Sequence, residues 1–167
     1  MKKLSAFICA IMVMTMLSTS VVLANVPTDI EGGFTQVTDV GGIQGSCFYI
    51  YIPADLEIPY PIMTPVIYVY GNEPYDDKDT AWAALTATGL DIIADEEKAV
   101  IIMVNPVGDT WGRIDIDVYE AIMLYIYYVD GPVPITFHSM QYAIGEGSGA
   151  TFIGNRVNKC RLPICLA

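Results

Sequence analysis

The sequence predicts an α/β fold with a largely parallel sheet, and three observations carry that prediction. Two runs, Pro65–Tyr70 (PVIYVY) and Ala99–Val104 (AVIIMV), are apolar without alternation, as strands covered on both faces must be. Val118, Ala121, Ile122, Tyr125, Ile126 and Val129 recur at the helical period. A glycine-rich turn, Gly145-Glu146-Gly147-Ser148-Gly149-Ala150, follows a short apolar run over Gln141–Ile144.

The elements follow in order. Lys2 and Lys3, the apolar stretch Leu4–Leu17 and the small residues before Asn25 form a cleavable secretory signal over residues 1–24. A secreted or extracytoplasmic chain without stable membrane association after cleavage is expected. Cys47–Ile52 is rich in β-formers and stops at Pro53, which reads as a strand. The 65–70 strand ends at Gly71-Asn72. Asp79 or Thr80 then caps a helix to about Lys98, with Trp82, Leu85, Gly89, Ile92 and Ile93 on one stripe. The 99–104 strand is broken by Asn105-Pro106. The amphipathic helix is entered from Asp115-Ile116-Asp117, whose carboxylates suit a helix N-terminus, and ends at Asp130-Gly131-Pro132. The order is β-β-α-β-α-β-turn-α.

Charge narrows the function. Eight Lys and Arg against nineteen Asp and Glu give a net charge of -11 over 167 residues. Every acid lies between Asp29 and Glu146, so the body, residues 25–150, carries -16, while residues 151–167 hold only basic charges. Nucleic-acid binding needs a basic face to displace counterions, so that class is excluded, and anionic lipid is disfavoured. The mature chain keeps Cys47, Cys160 and Cys165 without a CxxC pair, and its one histidine is His138. A Cys/His zinc site is therefore not expected, and the carboxylates lack calcium-loop spacing. Neither metal nor cofactor is predicted. Asp76-Asp77-Lys78-Asp79 reads as a solvated loop.

The glycine-rich turn admits three readings. A dinucleotide loop needs G-x-G-x-x-G with a later acid, and a phosphate loop needs Lys-Ser/Thr after the glycines. Here the spacing is G-x-G-x-G, with neither feature. A nucleophile elbow, G-x-nucleophile-x-G on a strand-to-helix turn, is the third.

Trp82…Gly89…Ala94-Asp95-Glu96-Glu97, Val104-Asn105-Pro106…Trp111, Asp117-Val118 and Tyr142…Gly145-Glu146-Gly147-Ser148-Gly149-Ala150 resemble secreted esterases of the polyhydroxybutyrate-depolymerase and feruloyl-esterase type. The resemblance runs from about Gly42 to Ile153 and implies a partial α/β-hydrolase sandwich truncated after the elbow helix. It also implies a small ester or polymer substrate. Tyr70-Gly71-Asn72 stands where that family places its His-Gly type oxyanion motif, so Gly71 and Ser148 are the implied backbone donors. Aligning Gly145 and Gly149 with the family's glycines puts Gly147 at the nucleophile position. A one-residue shift makes Ser148 the nucleophile, flanked by Glu146 and Ala150.

Chain order decides the expectation. The acid and base of such a triad follow the nucleophile, yet residues 149–167 hold no Asp, Glu or His, and His138 precedes the turn. The triad is incomplete, so a catalytically impaired hydrolase-like protein is expected. The alternatives are an active ester hydrolase using Ser148 and a non-catalytic ligand-binding relative. The loss of acids in the tail suggests a frameshifted or prematurely stopped reading frame. Trp82 and Trp111 read as packing against the sheet, with Trp111 also suited to lining a cleft.

Overall fold

The computed structural model describes residues 32–54, 56, 64–127, 140–159 and 165–166. The predicted leader, His138 and Cys160 lie outside them. The described residues form an α/β fold around one mixed, mostly parallel sheet. Its strands are β1 (Gly33–Thr38), β2 (Cys47–Ile52), β3 (Val66–Tyr70), β4 (Val100–Asn105), β5 (Gln141–Gly145) and β6 (Cys165–Leu166). They lie in the order β1-β2-β4-β3-β5-β6. β2 is antiparallel to both β1 and β4, and the other pairs are parallel.

Among the described residues four α-helices flank the sheet: α1 (Lys78–Thr88), α2 (Leu90–Glu97), α3 (Ile114–Tyr127) and α4 (Ser148–Lys159). The β3-to-β4 and β4-to-β5 connections run in opposite directions along the sheet. Right-handed crossovers must then put their helices on opposite faces. The core divides accordingly. Ala81, Leu85 and Ala94 of α1 and α2 pack with Tyr49, Ile67, Ile101 and Met103. On the other face Val118, Ile122 and Ile126 of α3, with Phe152 and Ile153 of α4, cover Ile50, Val66, Tyr68, Ile102 and Val104. Burial on both faces is why β3, and β4 as far as Val104, are apolar without alternation.

The structure corrects several expectations. β1 had no sequence signal: its GFTQVT alternates weakly, and among the described residues it pairs only with β2, at the sheet edge. The single helix to Lys98 is two helices. Gly89 adopts φ 70°, capping α1 and starting α2, so the helical phase resets there. The stripe of Trp82, Leu85, Ile92 and Ile93 therefore does not form: Leu85 is buried, whereas Trp82, Ile92 and Ile93 are exposed. The cap is Asp77, which accepts from the Thr80 amide at 2.8 Å while Thr80 Oγ1 accepts from the Asp77 amide at 3.0 Å. Asp77 is thus a cap as well as a solvated loop residue. Lastly, a short strand follows α4: Cys165 and Leu166 pair in parallel with Tyr142 and Ala143.

Candidate functional site at the carboxyl ends of β3 and β5

β3 and β5 are neighbours whose onward connections diverge, β3 to β4 and β5 to β6. Such a reversal opens a crevice beyond the carboxyl ends of the two strands, where open α/β sheets bind ligands. Tyr70 pairs with Gly145 at those ends, and the Glu146 amide donates to the Tyr70 carbonyl at 3.0 Å. The glycine-rich turn and the 71–75 loop are thereby brought side by side.

Three glycines shape the turn. A Cβ on Gly145 would lie 2.7 Å from the Ala150 backbone, and one on Gly149 would lie 2.2 Å from the Tyr70 carbonyl oxygen. Both positions exclude side chains because backbone meets backbone there. Gly147 adopts φ 54°, in the left-handed region, and a Cβ on it would stand 2.1 Å from Asn72 Oδ1. The Asn72 carboxamide thus occupies the space above Gly147.

Asn72 also binds Ser148 twice. The Ser148 amide donates to Asn72 Oδ1 at 3.0 Å, and Ser148 Oγ donates to the Asn72 carbonyl at 2.6 Å. Among the described residues no imidazole or carboxylate bonds the Ser148 hydroxyl. Gly71 is buried, and its carbonyl accepts from Trp111 Nε1 at 2.9 Å. The predicted site residues Gly71, Gly147 and Ser148 are therefore gathered in one place.

Three residues that organise the site had no individual signal. Asn72 meets Ser148 across 76 positions, a separation at which sequence spacing carries no geometry. Asn105, read as a strand breaker, is β4's last residue, and its buried carboxamide exchanges hydrogen bonds with the Tyr75 backbone at 2.8 and 2.9 Å. Asp115, read as a helix-entry acid, is 1% exposed and accepts from the Val107 amide at 2.8 Å and the Gly112 amide at 2.6 Å. It fixes the loop that carries Trp111.

Two clefts adjoin the turn. One, of about 640 Å³, is lined by Trp111, Arg113, Ser148, Thr151, Phe152 and Asn155 among others. Trp111 stacks on Phe152 with ring centres 4.9 Å apart and planes at 27°, and Tyr70 tilts against it at 5.2 Å. The second cleft, of about 510 Å³, lies towards α1 and includes Glu73, Tyr75 and Glu146. Burial, and then the Glu146 charge, raise the Tyr75 phenol above its ordinary value. Trp82 packs at the sheet edge on Phe34 and Tyr51, away from both clefts. Among the described residues no three His, Cys, Asp or Glu converge as metal ligands, and no helix is long and apolar enough to cross a membrane. Neither a protein-family model nor a curated protein matches the chain.

Proposed function

We propose that this chain is a secreted α/β-hydrolase-like protein of the esterase and depolymerase type that has lost acyl-transfer chemistry and retains a ligand-binding cleft. The observation that carries the reading is Gly147 at φ 54° with Asn72 Oδ1 lying where its side chain would be. An elbow needs a strained residue on a strand-to-helix turn, with small neighbours that let backbone pass. Gly145, Gly147 and Gly149 meet those requirements in the register that leaves the nucleophile position without a side chain.

The second elbow function is blocked too. The amide after the nucleophile position would stabilise an oxyanion, and here the Ser148 amide already donates to Asn72. Ser148 itself lacks an activating base among the described residues, and an unassisted hydroxyl is a weak nucleophile.

The test is a 4-nitrophenyl acetate and butyrate assay on protein purified from the medium of an expressing culture. Release at the buffer rate is expected, unchanged in Ser148→Ala, with a mature N-terminus near Asn25. Turnover that Ser148→Ala abolishes would overturn the loss of catalysis, and retention inside the cell would overturn secretion.

A further inference from the structure

We propose that the cleft between Trp111 and α4 binds an acidic sugar, a uronate-bearing oligosaccharide. This rests on the non-catalytic reading of the same site and deepens it. The cleft, about 640 Å³, falls within the range of roughly 300–1,000 Å³ typical of small-molecule sites. Its two walls have different chemistry. One is aromatic: Trp111, stacked on Phe152 and tied by its indole N–H to the Gly71 carbonyl, is held in place before any ligand arrives. Its position is therefore not ordered at the expense of binding.

The other wall is polar and regular. Ser148, Thr151 and Asn155 follow one another at three- and four-residue steps along one face of α4. They span about 10 Å of helix axis, long enough for more than one sugar ring. The Ser148 and Thr151 hydroxyl protons go to the Asn72 and Gly147 carbonyls, which leaves the two oxygens as acceptors. Asn155 and Arg113 make no side-chain bond among the described residues and supply donors. A sugar has an apolar C–H face for the indole and a hydroxyl edge for this row. A fatty acyl chain would leave the row unpaired, and an aromatic acid has too few hydroxyls to use it.

Arg113 selects for the carboxylate. Among the described residues no acid lines this cleft, although the 25–150 body carries nineteen. Arg113 is one of only three basic residues in that body. Its guanidinium offers a planar fork that matches a carboxylate in two hydrogen bonds.

The protein contains two tryptophans, so Trp82→Phe leaves Trp111 as the sole indole reporter. Fluorescence of this variant is titrated with trigalacturonate, xylotriose and benzoate in 0.15 M salt, which confines the body's repulsion to about 8 Å. Saturable quenching by trigalacturonate, at least tenfold tighter than by xylotriose, is expected. Arg113→Gln should remove that tenfold preference by weakening trigalacturonate far more than xylotriose, and Trp111→Leu, read by calorimetry, should abolish both. No saturable response to trigalacturonate, equal affinity for both sugars, or tighter benzoate binding would each overturn the proposal. The ester assay on the same preparation keeps the two readings apart: turnover sinks the non-catalytic reading whatever the sugars do, and absent sugar binding leaves it standing.

Discussion

At the residue scale, neighbouring glycines of α4 have opposite requirements. Gly149 has the Tyr70 and Gly71 carbonyl oxygens 2.2 and 2.6 Å from its missing Cβ, and neither backbone can yield. Gly149→Ala should destabilise the protein by about 3 kcal/mol, the upper part of the usual overpacking range. Gly154 lies in the same helix with nothing within 4 Å. Gly154→Ala should stabilise by about 0.5–1 kcal/mol, since alanine has less backbone freedom to lose. Urea titrations of the two variants check both signs. Equal effects would mean that close passage of the β3 end does not constrain the turn. The G-x-G-x-G spacing was legible as a tight strand-to-helix turn, but which residue carries the left-handed φ was not. That depends on where β3 runs, 75 positions earlier in the chain.

At the element scale, local signals located the strands and misjudged a helix. β2, β3, β4 and β5 lie within a residue or so of their predicted bounds because continuous apolar runs and Pro or Gly stops are local features. The α1–α2 pair was misread because a helical stripe drawn through Gly89 assumes constant phase. The Trp111 loop depends on a residue whose sequence role seemed ordinary. Asp115 satisfies the Val107 and Gly112 amides from a buried position. Asp115→Ala should leave both amides unpaired and cost about 1–3 kcal/mol. It should also loosen the indole, so thermal melts should fall and Trp111 fluorescence in the Trp82→Phe background should shift to the red. A lower melting temperature with unchanged emission would separate fold stability from the ordering of this loop.

At the scale of the whole molecule, the sheet face under α1 and α2 collects tyrosines whose phenols titrate late. Burial, then the Asp95 hydrogen bond, push Tyr51 up to about 12 from 10.0. Burial also raises Tyr49 and Tyr75. These folded-state values lie above the unfolded one, so their contribution is fully present below pH 10 and lost as pH rises through the folded values. Melting temperature should hold level up to about pH 10 and drop between about pH 10 and 12, with a shallower drop in Tyr51→Phe. An identical slope in that variant would show that the alkaline loss arises elsewhere.

The sequence by itself determined the α/β class, most strands, the acidic body and the elbow-like turn, because composition and short-range period act along the chain. Only the tertiary structure decided that β1 and β6 extend the sheet, that Asn72 fills the space above Gly147, and that Asp115 fixes the Trp111 loop. Those outcomes depend on segments far apart in sequence meeting at the divergence of β3 and β5. There, backbone close approach and long-range hydrogen bonds, which no local pattern encodes, set the chemistry of the site.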